Sequence, residues 1–206
     1  MDTRIKICGI TRVADAQAAV SAGADALGLV FTQTSPRWVE ASIAAEISAE
    51  VEGAVIRVGL FVDQDRAQIE QILTRAPVDL LQFHGSETAE FCRSFSLPYM
   101  KAFRVAAPFD AAAAVAAYPD ACALLLDAYV PGIAGGTGTR LALEYWPQAA
   151  SLPLVLAGGL TAENVAAAIS AVAPNVVDVS GGVEGGTKGI KDHQKMNSFI
   201  AAVKKL

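Results

Sequence analysis

The sequence predicts a (β/α)₈ barrel, in which eight parallel strands close into a cylinder and helices surround them. Short apolar runs recur eight times along the 206 residues, and most are followed by a segment with helical spacing. The runs are rich in Val, Ile, Leu and Phe, as is typical of strands buried on both faces. Division by eight gives about 26 residues per strand–helix unit, which is feasible because such barrels begin at about 200 residues.

An open doubly wound sheet is the competing architecture. It usually has fewer strands, and the turn after the first apolar run lacks the Gly-x-Gly-x-x-Gly pattern of a dinucleotide site. The strand count therefore favours the closed barrel. Because neither half of the chain differs enough in composition to suggest two domains, we interpret residues 1–206 as one barrel domain.

The predicted strands alternate with helices along the chain. The strands are Arg4–Cys8, Ala26–Phe31, Val55–Val62, Asp79–Phe83, Tyr99–Val105, Ala123–Asp127, Leu154–Ala157 and Val176–Ser180. Apolar stripes at spacings of three and four predict helices through Val39/Ile43/Ile47, Ile69/Ile72/Leu73/Ala76, Val165/Ile169/Val172 and Met196/Phe199/Ile200/Val203. Alanine content predicts another helix at Ala111–Ala117. Thr11, Ser86 and Thr161 are the predicted N-caps.

The composition excludes several classes of function. With 53% apolar residues the chain is predicted to fold, and its net charge of -5 argues against nucleic acid as a partner. A small anionic substrate is compatible with that charge, because a local site can oppose the global sign. No apolar stretch reaches the ~20 residues of a membrane helix, and no signal segment is expected. The three widely spaced cysteines fit a reducing compartment, so the predicted location is cytoplasmic.

Residues that end each apolar run are the candidate functional residues. In a parallel barrel the active site forms at the carboxyl ends of the strands and in the loops that follow them. These residues come from different loops but are expected to converge on one mouth. The candidates are Cys8, Arg37, Asp63, Gln82, His84, Arg104, Asp127, Gly158, Gly159, Ser180, Gly181 and Gly182.

Pairs of glycines follow the last two predicted strands, in Ala157-Gly158-Gly159-Leu160-Thr161 and Ser180-Gly181-Gly182-Val183-Glu184. Glycine lets backbone N–H groups approach an anion closely, and a helix N-terminus adds a partial positive charge. Tight turns alone would explain either pair. Two pairs in the two loops where barrel enzymes frequently hold a phosphate favour a phosphate site.

Cys8 and Asp127 end the first and sixth predicted strands and are expected to face each other across the mouth. A cysteine between isoleucines is more often a core residue, and an aspartate here could simply cap a loop. A carboxylate closing an apolar strand nevertheless favours a general acid, and a thiolate opposite it could remove a proton. Lys6, on the same strand face as Cys8, is either the positive charge that a thiolate needs or a solvated or hydrogen-bonded lysine at the barrel end.

Arg37 and His84 are candidate substrate contacts. Arg37 follows Pro36 in a loop that leaves it free to reach over the mouth, where its planar guanidinium would suit a carboxylate. A solvated loop arginine is the alternative. His84 could orient a substrate or satisfy the loop backbone, and the residue type alone favours the backbone role.

Eight short motifs occur in order along the chain: Lys6-Ile7-Cys8-Gly9-Ile10-Thr11, Ser35-Pro36-Arg37, Val58-Gly59-Leu60-Phe61-Val62, Leu81-Gln82-Phe83-His84-Gly85, Leu124-Leu125-Leu126-Asp127, Gly135-Gly136-Thr137-Gly138, Ala157-Gly158-Gly159-Leu160 and Asp178-Val179-Ser180. In these motifs and over its full length, the chain closely resembles the phosphoribosylanthranilate isomerase family of tryptophan biosynthesis. Each motif is short, but their shared order is specific.

The resemblance implies an Amadori rearrangement without metal or organic cofactor. The small-molecule substrate N-(5'-phosphoribosyl)anthranilate would be isomerised to 1-(o-carboxyphenylamino)-1-deoxyribulose 5-phosphate. The resemblance assigns the general base to Cys8 and the general acid to Asp127, and places Arg37 near the anthranilate carboxylate. Its phosphate site falls on Gly158, Gly159, Ser180, Gly181 and Gly182. The oligomeric state is left open.

The chain departs from the family pattern in two places. After Ser180 the family usually has a second serine where this chain has Gly181, so one hydroxyl contact to phosphate is lost while the backbone contact is kept. The segment after Gly138 usually reads Phe-Asp-Trp in the family, and here Leu143-Glu144-Tyr145-Trp146 follows a slightly longer connecting segment.

Two rival functions are weighed against the isomerase. An indole-glycerol-phosphate synthase would require a catalytic lysine and glutamate, whereas the strand ends here offer cysteine and aspartate. A phosphate sensor would need neither an acid nor a base.

Overall fold

The computed structural model describes residues 3–105, 108–127 and 143–206, and in them eight parallel strands close into one barrel in sequence order. The strands are β1 (Arg4–Cys8), β2 (Ala26–Val30), β3 (Ile56–Phe61), β4 (Leu80–Phe83), β5 (Tyr99–Arg104), β6 (Ala123–Asp127), β7 (Leu154–Ala157) and β8 (Val176–Val179). β8 pairs with β1, with Lys6 opposite Asp178, and this pairing closes the cylinder. The predicted barrel is confirmed.

Seven α-helices lie in the described part of the chain, mostly between successive strands. They are α1 (Val13–Ala22), α2 (Ala41–Glu50), α3 (Arg66–Arg75), α4 (Ala89–Arg93), α5 (Ala111–Ala117), α6 (Val165–Val172) and α7 (His193–Lys204). Short 3₁₀ helices occur at Leu143–Tyr145 and Gly181–Val183. The four apolar stripes and the alanine run therefore predicted helices correctly. The predicted motif at residues 135–138 lies outside the described residues.

The predicted N-caps are wrong, because none of the three residues occupies the N-cap position of its helix. Thr11 donates to the Gly189 carbonyl, and α1 begins after Arg12 without a side-chain cap. Ser86 donates from its hydroxyl and its backbone N–H to Asp63, and Thr88 caps α4 instead. α6 begins after Asn164, whose side chain accepts from the N–H of Thr161.

The core has two apolar layers separated by the sheet. Outward-facing strand residues such as Ile7, Leu126 and Val179 pack against the helices. Inward-facing residues such as Val58 and Leu125 fill the barrel itself. Above this interior layer the barrel holds three buried polar side chains, Lys6, Gln82 and Asp178. The interior therefore changes from apolar to polar toward the carboxyl ends of the strands, where a parallel barrel carries its chemistry.

None of the helices in the described ranges is long and apolar enough to cross a membrane.

Candidate active site

A cavity of about 860 Å³ opens at the carboxyl ends of the strands. Among the residues predicted at strand ends, Gln82 and Arg104 line the cavity, whereas Asp63 is absent from its lining. Asp63 instead accepts hydrogen bonds from Ser86 and joins the loops after β3 and β4. The cavity brings together all nine residues predicted to act on substrate: Cys8, Arg37, His84, Asp127, Gly158, Gly159, Ser180, Gly181 and Gly182.

Cys8 ends β1 with only 6% of its surface exposed. Lys6, two residues earlier on the same strand face, is 1% exposed and donates to Asp178 Oδ1 at 2.9 Å. A side-chain carbon placed on Gly28 would lie 2.7 Å from the Cys8 sulfur and 3.1 Å from the Lys6 nitrogen. The thiol and the ammonium therefore face the same small space inside the barrel.

The charges around Cys8 oppose one another. Burial raises the pKa of the Cys8 thiol, whereas the ammonium of Lys6 lowers it, Asp178 raises it and Lys191 lowers it, and the net direction is upward. Burial alone would lower the pKa of Lys6, but the charges of Asp178 and Cys8 outweigh it, so the pKa of Lys6 is raised. Lys6 is therefore charged, and it is the largest single influence that favours the thiolate.

Asp127 ends β6 and is half-buried at the cavity wall. It is paired in register with Arg104 of β5 on one side and with Ala157 of β7 on the other. The sheet thus holds the carboxyl group on the far side of the barrel from β1 and β2. The predicted arrangement of a thiol and a carboxyl group around one cavity is what the structure shows; their catalytic roles stay predictions.

His84 follows β4 and lines the same cavity. Burial lowers the pKa of His84, although the nearby carboxylates of Asp127 and Asp178 oppose that effect. The imidazole is therefore neutral at pH 7. Its Nδ1 lies 3.4 Å from the Gln82 amide nitrogen, and an amide donor there places the His84 proton on Nε2. A neutral ring with an N–H is suited to contact a substrate hydroxyl or carboxylate.

The two glycine loops lie side by side. Gly158 and Gly159 both have positive φ, at 91° and 69°, and a Cβ on Gly182 would overlap the Leu160 carbonyl oxygen. No hydrogen bond between described residues uses the backbone N–H of Gly158, Gly159, Gly181 or Gly182. Free N–H groups at a cavity wall are the donors that an anion needs. α6 begins only at Val165, so the first loop is not directly followed by a helix as predicted.

Arg37 is held by a partner that the sequence reasoning missed. Its Nε donates to Glu184 Oε1 at 2.6 Å, and its Nη2 donates to Glu184 Oε2 at 2.8 Å. The prediction of a free loop arginine is therefore wrong. The side chain is 24% exposed and lines the cavity, so it stays a candidate for substrate contact.

Among the described residues, no group of three or more His, Cys, Asp or Glu side chains is placed to hold a metal ion.

Comparison with known proteins identifies the family. Residues 5–202 match the model of the family described as N-(5'phosphoribosyl)anthranilate (PRA) isomerase. The chain is 55% identical over 201 residues to an N-(5'-phosphoribosyl)anthranilate isomerase of Pseudomonas fluorescens, covering 98% of each chain. The chain belongs to the N-(5'-phosphoribosyl)anthranilate isomerase family.

Solved structures of the isomerase family share the fold throughout. The crystal structure of phosphoribosyl anthranilate isomerase from Thermotoga maritima matches with a TM-score of 0.85 at 38% identity, covering 99% of this chain and 100% of that one. A phosphoribosyl anthranilate isomerase in complex with reduced 1-(o-carboxyphenylamino)-1-deoxyribulose 5-phosphate matches with a TM-score of 0.81 at 36% identity, with the same coverage of both chains. The predicted family resemblance is confirmed.

Three site residues were not among the sequence candidates: Asp178, Glu184 and Lys191. Strand alternation could have found Asp178, because it lies two residues before Ser180, which ended the predicted strand. Local sequence could not have found Glu184, because its partner Arg37 is 147 residues away. Lys191 is nearer in sequence to its partners: its buried ammonium contacts Glu184 at 3.2 Å and the Ser180 carbonyl at 3.2 Å, seven and eleven residues away.

Proposed function

We propose that the chain catalyses the Amadori rearrangement of N-(5'-phosphoribosyl)anthranilate to 1-(o-carboxyphenylamino)-1-deoxyribulose 5-phosphate in tryptophan biosynthesis, by general acid/base catalysis. The observation that carries the mechanism is the placement of Cys8, Asp127 and both glycine loops around one cavity. An acid, a base and a phosphate cradle are the parts that isomerisation of a phosphorylated aminosugar requires.

Asp127 acts first, as the general acid. Its carboxyl group protonates the furanose ring oxygen, the bond from that oxygen to C1 breaks, and the anthranilate nitrogen supplies the electrons to form a Schiff base. The open chain then has an acidic proton on C2, because the adjacent iminium withdraws electrons. Asp127 lies at the cavity wall at the end of β6, and this position supports its role as the acid.

Cys8 acts second, as the general base. Its thiolate removes the C2 proton, and the resulting enolamine tautomerises to the ketone. Burial disfavours the thiolate and Lys6 opposes that effect, so we assign Lys6 the role of stabilising the charged form of the base. The ion pair of Lys6 with Asp178 at 2.9 Å keeps the ammonium inside the barrel when the thiol is neutral.

The remaining cavity residues bind the ends of the substrate. The backbone N–H groups of the glycine loops and the hydroxyl of Ser180 receive the phosphate, while Arg37 and the neutral His84 face the anthranilate end. The substrate is a small molecule, and the free cysteines, Cys8, Cys92 and Cys122, suit a cytoplasmic enzyme.

Turnover of phosphoribosylanthranilate by the wild type, Cys8→Ala and Asp127→Asn tests the proposal. Each substitution is expected to lower kcat on the order of 10²–10⁴-fold, the usual contribution of one acid or base. Cys122→Ser is the matched control, because this cysteine is exposed and remote from the cavity lining, and it should keep full activity. Full activity in Cys8→Ala or Asp127→Asn contradicts the role of that residue. A wild type that binds the substrate without converting it contradicts the function and favours a sensor.

A further inference from the structure

Glu184 lies at the centre of a closed hydrogen-bond cluster beside the cavity. It follows the 3₁₀ helix Gly181–Val183, and its side chain is only 6% exposed. Beyond the two bonds from Arg37, its Oε1 accepts from the Gly189 N–H at 3.0 Å and lies 3.2 Å from Nζ of Lys191. Burial alone would raise the pKa of Glu184, but these donors and charges outweigh it and hold the pKa below its usual range. Glu184 is therefore a fixed carboxylate.

The geometry of the Arg37 guanidinium shows which of its N–H groups are not used by Glu184 and can bind a ligand. A guanidinium carries five N–H groups in a rigid plane. Glu184 uses the edge formed by Nε and Nη2. Within the described residues, Nη1 makes no hydrogen bond, and the side chain lines the cavity. The edge formed by Nη1 and the second Nη2 hydrogen can therefore receive another carboxylate in the same bidentate manner.

We propose that Glu184 is a positioning residue that fixes the Arg37 guanidinium with this second edge toward the cavity, and thereby determines selectivity for a substrate that carries a carboxylate. This inference rests on the proposed function. A loop arginine without such a partner loses side-chain conformational entropy when it binds a ligand, whereas a guanidinium held in place has already lost that entropy on folding. Lys191 supports this arrangement, because its buried ammonium lies 3.2 Å from Glu184 Oε1 and donates to the Ser180 carbonyl.

Binding of two ligands tests the proposal. The first is reduced 1-(o-carboxyphenylamino)-1-deoxyribulose 5-phosphate, and the second is its phenylamino counterpart without the carboxyl group. Calorimetry gives the ratio of their dissociation constants for each variant. Glu184→Gln keeps the size of the side chain but removes the charge, and it is expected to lower the preference for the carboxylate on the order of tenfold, with the second ligand bound as in the wild type.

A double-mutant cycle with Arg37→Gln separates positioning from general damage. Once Arg37 is absent, Glu184→Gln should have no further effect on the preference, because Glu184 acts only through the guanidinium. Asp79→Asn is the matched control, since it removes a carboxylate from a bidentate arginine pair at the other end of the barrel, and it should change neither affinity. Glu184→Asp, which keeps the charge on a shorter side chain, is expected to give an intermediate preference.

The proposal is overturned if Glu184→Gln weakens both ligands equally, if it leaves the preference intact, or if it lowers the preference further when Arg37 is absent. If Glu184→Gln does not fold, a wild-type preference in Glu184→Asp overturns the proposal and an intermediate one supports it. Turnover by the wild type is measured in the same preparation. Failure of the proposed isomerase function and failure of carboxylate selection are therefore observed separately.

Discussion

Two arginine–carboxylate pairs of the same geometry lie at opposite ends of the barrel. Arg37 and Glu184 join loops at the carboxyl ends of the strands, with bonds of 2.6 and 2.8 Å. Arg57, near the start of β3, donates to Asp79 just before β4, with bonds of 2.9 and 2.7 Å from the corresponding nitrogens. The local chemistry of the two pairs is therefore the same, and their surroundings differ.

The surroundings decide what each pair can do. Nη1 of Arg57 donates to the Ser48 carbonyl at 3.2 Å and lies 3.8 Å from Glu52, so both edges of that guanidinium have protein partners. Asp79 is 41% exposed, whereas Glu184 is 6% exposed. At the amino ends the carboxylate is partly screened by water and both edges of the arginine have protein partners, so this pair joins strands. At the carboxyl ends the carboxylate is buried, and the arginine, which is 24% exposed, has an edge toward the cavity, so this pair is suited to hold a ligand.

The same contrast holds for the barrel interior. Below the cavity, the inward side chains are apolar and pack against one another. At the level of the cavity they are polar, and the Gln82 oxygen has no hydrogen-bond partner among the described residues. A buried polar atom without a partner costs on the order of 1–3 kcal/mol. The polar groups at the carboxyl end of the barrel therefore lower the stability of the fold, but they can act on a substrate.

After replacement of Cys8 or Asp127 themselves, the largest effect is expected from Lys6→Met, which removes the cation beneath Cys8. The kcat/KM at neutral pH should fall on the order of a hundredfold, because the thiolate loses its nearest positive charge. A base must be deprotonated to act, so activity rises with pH through the pKa of Cys8. Loss of Lys6 raises that pKa further and moves the rising limb of the profile to higher pH.

Asp178→Asn is expected to shift the pH profile of kcat/KM in the opposite direction, and it serves as the comparison variant for Lys6→Met. The carboxylate of Asp178 raises the pKa of Cys8, so its removal should move the rising limb to lower pH. The measurement is kcat/KM against pH, which reports groups of the free enzyme. Shifts in the same direction for both variants would contradict the electrostatic role of Lys6.

A smaller effect is expected from Gly182→Ala, which forces the two glycine loops apart. Its Cβ would overlap the Leu160 carbonyl oxygen, so the N–H groups that face the cavity must separate. KM is expected to rise about tenfold with little change in kcat, because phosphate binding is shared by ground state and transition state. Gly185→Ala is the control, since a Cβ there meets no atom within 4 Å. An equal KM in the two variants would argue against phosphate binding by these loops.

The smallest effect is expected from Asp79→Asn at the amino end. The free energy of unfolding should fall by less than about 1 kcal/mol, as for exposed ion pairs, and kcat/KM should not change. The hydrogen bonds from Arg57 lower the pKa of Asp79. The pair therefore stabilises the fold above the usual aspartate range and loses that contribution as pH falls through the lowered pKa. Urea unfolding at neutral and acidic pH measures the difference. A loss of activity would show that the amino end also serves the site.

Much of the fold could be predicted because its signals are local. Three predicted strands agree with the structure at both ends, and the other five overrun by one residue at one or both ends. A buried parallel strand requires a short apolar run, and an amphipathic helix requires apolar residues at spacings of three and four. Both patterns can be read directly from the sequence. The predicted N-caps failed because Thr11 and Ser86 bond to other loops: Thr11 to Gly189, far along the chain, and Ser86 to Asp63 in the loop after the neighbouring strand.

The sequence by itself determined which residues meet at the cavity. Strands of a parallel barrel end at one rim, so Cys8, Asp127 and the glycine loops must lie together once the strand ends are known. Only the tertiary structure decided how those residues are held and charged. Lys6 meets Asp178 across 172 positions of the chain, and Arg37 meets Glu184 across 147. Such pairs depend on barrel closure and loop packing, which bring together side chains that no local pattern relates.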